Sequence, residues 1–596
     1  MRPACAAGCG ACVPPAPRDV ARASRLRHGK WRVRTAYAFS KKQKGKHIME
    51  WKSLKECYRA CLPLNLPAEA GLIYRSSNNM CPQFPGSAFF TTSGFDCDYS
   101  SHDVVVVGDG GSKQYVLAGA LTANRSLSYF TVRRRSGRME SILVEQPEIK
   151  PGEKPENIMV ATGSDWRQLL KEYAVASAAA MGVKPIQPKE NLVGYCTWYY
   201  YYADVSEGNF LENVNALAEH AELPYSHAVA QIDDGYQTFQ GDWLDQHESW
   251  PTPLKTIAKQ ATDKGLIPGI WLMPMLASTA SRVFREHPDW FVKNEQGEPF
   301  AFAGWSPAPD NYWACLDATL PAVQAHLTHV FKTFWDWGFR YFKMDGLGYG
   351  LPEGKRHDPN ATAVSAFRLA LKTIREAVPE AHILGCCPPF MACMGYVDSA
   401  RVSCDTAATW TGPHPGNDEL SKPYHGPDRD NCDHNPGACC IKDAWHDTIA
   451  NWWMYDRWFR ADPDVLIARQ DRARHSLGEA RISVLSGIMT GVTITSDNLG
   501  TIAPDRLKLL ELAAKTRLKD ATPRIWYPYH WAQVWEGTID GKHAVALVND
   551  TEVAQTFSLL NEAGMANGGV EILQGAGKLQ GDVTVEPHDA MLIVEG

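Results

Sequence analysis

Lys343 and Asp345 stand two residues apart in the run Tyr341-Phe342-Lys343-Met344-Asp345-Gly346, and Arg401 stands four before Asp405 in Arg401-Val402-Ser403-Cys404-Asp405. Alternation along a strand puts residues i and i+2 on one face, so Lys343 would keep the Asp345 carboxyl charged. A charged carboxylate from one strand and a proton-bearing carboxyl from another are what glycosidic-bond hydrolysis requires. The first attacks the anomeric carbon or activates water, and the second protonates the leaving oxygen. Asp405 suits the acid if its pocket is the less cationic of the two, and the nearby Arg401 works against that. Three more apolar runs end on groups of chemical interest: Ala230-Gln231-Ile232-Asp233-Asp234-Gly235 on two carboxylates, Ile383-Leu384-Gly385-Cys386 on a thiol, and Pro268-Gly269-Ile270-Trp271 on a flat ring.

Each of these has a plain structural explanation when taken alone. An Asp at a strand end caps a turn or helix, a Lys-x-Asp pair is a satisfied ion pair, and a Trp or Cys after an apolar strand belongs to a core. Their convergence argues otherwise, because packing does not require several strands to deliver ionisable and sugar-stacking groups to one place.

The elements that would position them alternate regularly. Strand-like runs at 194–198, 227–233, 267–272, 340–345, 382–386, 400–405, 465–469 and 491–496 are separated by amphipathic stretches such as 209–222, 323–337 and 362–378. Eight such units over about 320 residues predict a (β/α)8 barrel, whose reactive groups sit at the C-terminal ends of the strands. Upstream, short apolar runs between about 80 and 180 are broken by Gly, Asn and Ser, as in a β-sandwich, and are followed by a helix at 166–180 and a Pro-containing linker at 184–189. Downstream of 523, runs such as Ala544-Val545-Ala546-Leu547-Val548 and Ala590-Met591-Leu592-Ile593-Val594 predict a small antiparallel β domain. The expected organisation is a leader at 1–48, a sandwich at 49–183, the barrel at 184–522 and the β domain at 523–596.

Composition agrees with a folded multidomain protein: 596 residues, 44% hydrophobic and 21% charged. A formal charge of -7 argues against a polycationic nucleic-acid binder, and no uninterrupted apolar stretch is long enough to span a bilayer. Twenty tryptophans exceed ordinary packing needs and suit sugar faces. The first 48 residues carry twelve Lys/Arg against one acid, Asp19, and lack the apolar core of a secretory signal. A transit peptide, a nucleic-acid arm and a start upstream of the true Met49 are the readings of this leader, the last preferred. Without an export signal the default is a cytoplasmic protein with reduced thiols. The 16 cysteines are dispersed, and Cys432-Asp433-His434 followed by Cys439-Cys440 matches no standard zinc spacing, so no metal is expected.

The runs Gln231-Ile232-Asp233-Asp234-Gly235-Tyr236, Gly241-Asp242-Trp243, Tyr341-Phe342-Lys343-Met344-Asp345 and Arg401-Val402-Ser403-Cys404-Asp405-Thr406-Ala407 with Trp410 resemble glycoside hydrolase family 36, in particular its compact bacterial α-galactosidases (melibiases). Supporting stretches are Gly194-Tyr195-Cys196-Thr197-Trp198-Tyr199, His287-Pro288-Asp289-Trp290, Tyr455-Asp456-Arg457 and Asp462-Pro463-Asp464, so the likeness runs in order from about 90 to 515. The resemblance implies a retaining double displacement with Asp345 as nucleophile and Asp405 as general acid/base. It also implies that Asp233 and Asp234 grip sugar hydroxyls, including the axial O4 of galactose, and that Lys343 bonds the same ring. Arg401 would line the pocket wall, Trp198 and Trp271 would pack on the sugar, with Trp410 nearby, and Cys386 would lie close to the C2 substituent. No cofactor is implied, and the partners are α-galactoside oligosaccharides, with no nucleic acid and no membrane.

The sequence departs from the family pattern in three places: the leader, a His-, Pro- and Asp-rich stretch at 411–445, and Cys387 where a glycine is expected. Cys387 narrows the space beside C2 and so leans against the nearest alternative, an α-N-acetylgalactosaminidase. A galactosyl-transferring enzyme of the raffinose-synthase type and, from another class, an inactive carbohydrate-binding protein also remain open.

Overall fold

Eight short parallel strands form the centre of the molecule: β1 (Leu192–Cys196), β2 (Val229–Ile232), β3 (Ile267–Leu272), β4 (Tyr341–Met344), β5 (His382–Gly385), β6 (Ser399–Arg401), β7 (Arg460–Asp462) and β8 (Val492–Thr495). Each pairs in parallel with the next in sequence, from β1 to β7, and β8 returns to β1 with Val492 opposite Leu192. Between β7 and β8 the barrel is nearly closed by a single parallel bridge, Leu466 to Thr495. This computed structural model describes residues 57–67, 70–76, 88–91, 96–183, 190–219, 228–303, 312–411, 440–525 and 534–596. The leader, the 184–189 linker, and Cys432, His434 and Cys439 lie outside the described residues.

The central strands are continuous apolar runs because they are covered on both faces. β2, β4 and β8 are buried along their whole length. The helices between them start and stop where local chemistry dictates. Ala363–Ala377 opens on a reciprocal pair in which Thr362 and Ser365 each accept from the other's backbone N–H. Leu477–Thr490 opens the same way on Ser476 and Glu479, and ends at Gly491, whose φ of 73° suits the left-handed cap that glycine adopts without strain. Pro321 and Pro504 occupy the first turns of Pro321–Asp336 and Pro504–Lys515, where no N–H is needed.

Two features differ from expectation. The seventh strand is Arg460–Asp462, and the apolar run at 465–469 that suggested a strand follows it outside the ladder apart from the Leu466 bridge. After β3 comes a small antiparallel sheet, Leu276–Ser278, Tyr312–Cys315 and Ala301–Ala303, whose strands of three and four residues are too short to leave a periodic signal.

The N-terminal runs form an eight-stranded antiparallel sheet around Cys97–Asp109. That long strand changes partners at Asp103, whose φ is 53°: its first half pairs with Tyr129–Arg135 and its second with Gln114–Ala120. The helix Trp166–Ala180 ties this sheet to the barrel. Its Tyr173 hydroxyl donates to the Asp103 carbonyl at 3.1 Å, and its Ser177 hydroxyl accepts from the Trp458 indole at 2.8 Å. The chain ends in a six-stranded antiparallel sheet and a separate pair, Gln555–Ser558 with Asp582–Val585, closed over Val534, Val545, Leu547, Phe557 and Ile593. Arg481 to Asp589 at 2.9 Å joins this layer to a barrel helix.

Candidate active site

Asp345 immediately follows β4, and its backbone N–H still donates to the Leu272 carbonyl at 2.8 Å, so the ladder fixes where its side chain begins. The carboxylate is then held from two sides. The Trp271 indole N–H donates to Oδ2 at 3.1 Å and the Gly346 backbone N–H to Oδ1 at 2.6 Å. Gly346 has a φ of 62°, a left-handed conformation that glycine adopts without strain. Burial pushes the Asp345 carboxyl up, but Lys343, Arg401 and the hydrogen bonds from Cys386 and Trp271 outweigh it and hold the group below the usual carboxylate range.

Lys343, on the same face, is buried and salt-bridged to Asp233 Oδ2 at 2.8 Å. Burial works against its charge, and the field of Asp233, Cys196, Cys386 and Asp345 reverses that, so the ammonium stays protonated far above its ordinary range. Asp233 is heavily engaged. Oδ2 also accepts from Gln231 at 2.6 Å and from the Cys196 thiol at 3.3 Å, and Oδ1 accepts from the Asp234 N–H at 3.0 Å. It therefore works first as an anchor for Lys343. Asp234 is different: Oδ1 accepts from Gln237, while Oδ2 is buried with no hydrogen-bond partner among the described residues. Burial, with Asp233 and Asp345 adding to it, pushes the Asp234 carboxyl up to about 7.

Arg401, at the end of β6, is the second buried cation. Its Nη2 pairs with Asp405 Oδ1 and approaches Cys387 Sγ at 3.7 Å, and its Nη1 meets Asp464 Oδ1 at 3.3 Å and the Tyr199 hydroxyl at 3.5 Å. Asp405 is more open than its neighbours, with 44% of its side chain exposed. Its pocket is not the less cationic one, since a guanidinium lies directly on it. On the other side, one Asp345 oxygen and the sulfurs of Cys386 and Cys387 lie within 4.8 Å of one another. Asp345 and Asp405 are thus connected through two intervening side chains, Cys387 and Arg401. Cys387 has a φ of 49°, the left-handed conformation for which glycine is the default, so the residue standing in place of glycine carries backbone strain.

Lys343, Asp345, Asp233, Asp234, Arg401, Asp405, Cys386 and Trp271 thus gather at one end of the barrel. Trp198 begins the short helix after β1, half-buried, with its ring 5.4 Å from Tyr202. Trp410 is not brought to this cluster by its contacts. Its ring stacks on His588 of the C-terminal layer at 4.9 Å, beneath Lys442.

Two acids were named in the sequence but given no role. Asp462 ends β7 and Asp464 follows it by two residues, both within the field of Arg401; burial pushes Asp462 up to about 7, and burial likewise raises Asp464 against the pull of Arg401. The Asp-Pro-Asp spelling was the available signal, but a strand drawn at 465–469 puts both at the closed end of the barrel. The observed β7 puts them at the mouth. Among the described residues the group with metal-ligating spacing is Asp345, Cys386 and Cys387, and no helix is long and apolar enough to cross a membrane.

Fold and mouth together define a (β/α)8 barrel whose carboxylates are arranged around two buried cations. Residues 229–332 match the model of the melibiase family. The chain is 28% identical over 152 residues to the α-galactosidase AgaA of Geobacillus stearothermophilus, covering 24% of this chain and 20% of that protein. It is also 28% identical over 128 residues to an A type blood α-D-galactosamine galactosaminidase of Flavonifractor plautii, covering 20% of this chain and 12% of that one. The chain thus spans about a fifth of the length of the first curated relatives it matches. In fold it is similar to an α-galactosidase of Thermus thermophilus solved with p-nitrophenyl α-D-galactopyranoside: TM-score 0.60, 21% identity, 81% of this chain and 92% of that one. The family match therefore covers the part of the barrel from β2 into the helix Pro321–Asp336.

Proposed function

We propose that the protein is a retaining exo-glycosidase that hydrolyses terminal α-linked galactose from oligosaccharides through a covalent glycosyl-aspartate. The observation that carries the reading is Asp345: a carboxylate gripped by two N–H donors, kept charged by Lys343 and Arg401, and linked to a second, more open carboxyl, Asp405, through Arg401 and Cys387. A nucleophile needs the fixed geometry and the charge, and an acid/base that meets a leaving group and then water needs the exposure.

In the first half-reaction Asp345 attacks the anomeric carbon while Asp405 gives its proton to the departing oxygen. Asp405 is then a carboxylate beside Arg401, which stabilises it until water delivers the next proton. Asp234, with its unpartnered buried oxygen, takes a sugar hydroxyl, and Lys343, oriented by Asp233, takes another. Trp271 and Trp198 pack against the ring, Cys386 lies towards C2, and Arg401 walls the pocket. An α-N-acetylgalactosaminidase is the second reading, favoured by the likeness to the galactosaminidase relative and disfavoured by the Cys387 side chain beside the C2 position. The hydrolysis test uses nitrophenyl α-galactoside and its N-acetyl analogue, with the product anomer followed by proton NMR. The reading expects galactoside turnover with the α-anomer released first. Asp345→Asn is expected to lower kcat by about 10³-fold or more with the fold intact. Wild-type-like turnover in that variant, or β-galactose as first product, overturns it.

A further inference from the structure

Successive side chains of a strand point to opposite faces, so neighbouring cysteines at the end of β5 should diverge. Cys386 and Cys387 converge instead, because the left-handed φ of 49° at Cys387 turns the chain back on itself. Their sulfurs lie within 4.8 Å of each other and of an Asp345 oxygen, and Cys386 is hydrogen-bonded both to Cys387 and to Asp345. Cys387 is partly open while Cys386 is buried, so the cluster has one accessible side.

We propose that Cys386, Cys387 and Asp345 form a chelating site for a soft divalent cation of the Zn2+ or Cd2+ kind, whose occupation disables the carboxylate of Asp345. Two sulfurs and one carboxylate oxygen select such a cation over Mg2+ or Ca2+, which prefer all-oxygen shells. Zinc–sulfur bonds of about 2.3 Å in tetrahedral geometry place two sulfurs a little under 4 Å apart, so closing the site asks the sulfurs to move by at most about 1 Å. A fourth position is left for water. Binding balances as one dication taken up and two thiol protons released to solvent, which leaves a metal, two thiolates and a carboxylate with a net charge of -1. That anion lies against Arg401, whose Nη2 is 3.7 Å from Cys387 Sγ, with Lys343 a second positive group in the same pocket, so the loaded site is matched in charge by its walls. The carboxylate can ligate while keeping its bonds to Trp271 and Gly346, since each oxygen has a further lone pair.

Binding stands independently of the glycosidase reading, and only the inhibitory consequence rests on it. The test titrates the full chain with Cd2+, following the ultraviolet charge-transfer absorption of cadmium thiolates. Wild type is compared with Cys387→Gly, which relieves the left-handed strain, and with Cys387→Ser. The expected result is that each variant loses the equivalent of one Cd2+ per chain, and that Asp345→Asn weakens this component about tenfold or more. Cd2+ is also expected to lower the galactosidase rate of wild type but not that of Cys387→Gly, each referred to its own metal-free rate. Identical absorption titrations in wild type and both Cys387 variants overturn the proposal. A Cys387-dependent titration in a protein that hydrolyses no α-galactoside upholds the metal site and sinks the glycosidase reading instead.

Discussion

Asp234→Asn separates what this carboxyl costs the fold from what it gives the site. In the native protein burial, Asp233 and Asp345 push its pKa from 3.8 to about 7. The native state therefore holds this proton more tightly than the unfolded chain does. Stability from this group is fully present below the unfolded pKa, falls as pH rises between about 4 and 7, and is gone above the folded pKa. At about 1.4 kcal/mol per unit, a shift of roughly three units amounts to a ceiling of about 4 kcal/mol. Asparagine keeps an oxygen for Gln237 and has nothing to ionise, so the variant is expected to match wild type near pH 4.5 and to exceed it by about 2–4 kcal/mol at pH 8. Urea denaturation at both pH values reads this difference directly. The same substitution removes from the proposed sugar site an acceptor that is charged at pH 8, so kcat/KM at that pH is expected to fall about 10- to 100-fold, the worth of one hydrogen bond to a charged group. Parallel stability profiles for variant and wild type refute the account of Asp234 as a buried, costly carboxyl. A stabilised variant with unchanged kcat/KM keeps the electrostatics and removes Asp234 from the site.

Asp405→Ala is expected to cost about 10²- to 10⁴-fold on oligosaccharides with poor leaving groups and far less on a nitrophenyl galactoside; equal losses on both argue against an acid role. Lys343→Met leaves Asp233 buried without its countercharge, so a loss of about 3–5 kcal/mol in denaturant unfolding is expected, and an unaffected stability contradicts the anchoring pair. Trp410→Ala is expected to destabilise the chain by about 3–5 kcal/mol through the lost packing on His588 while leaving KM for the galactoside unchanged. A raised KM with normal stability puts that ring in the sugar pocket.

The barrel strands were legible where an apolar run ends on polar residues. Alternation alone correctly put Lys343 and Asp345 on one face, and 267–272 was read to the residue. The seventh strand was misread because hydropathy and hydrogen bonding part company there. Val465, Leu466, Ile467 and Ala468 are all buried, yet only Leu466 forms a bridge, so burial without a ladder imitates a strand. That error hid Asp462 and Asp464. The resemblance places Trp410 near the sugar, whereas its ring stacks on His588 in the last layer of the chain, a long-range contact that no local pattern encodes. Cys387 was legible only as a departure from glycine; that it turns two thiols to one side follows from a backbone angle, which composition does not reveal.

On the proposed reading Arg401 faces Asp405 although a guanidinium opposes the proton that a general acid must hold. Arg401 does not belong to Asp405 alone: its other nitrogen is held by Asp464, which is buried beside Asp462 and accepts from the Thr406 N–H at 2.9 Å. Two carboxylates therefore share one cation. Burial raises Asp464, Arg401 lowers it, and the nearby Asp405 raises it again, so the guanidinium and both acids act on one another. When Asp405 carries the proton, Asp464 holds the cation; when Asp405 has given it up, Arg401 has a second anion to stabilise. An acid/base residue must be stable in both states within one turnover, and a shared counterion meets that need better than a dedicated one. Asp464→Asn is expected to leave Arg401 wholly to Asp405 and, because a general acid works only while protonated, to shift the basic limb of kcat/KM to lower pH. An unmoved basic limb shows that the two carboxylates act independently.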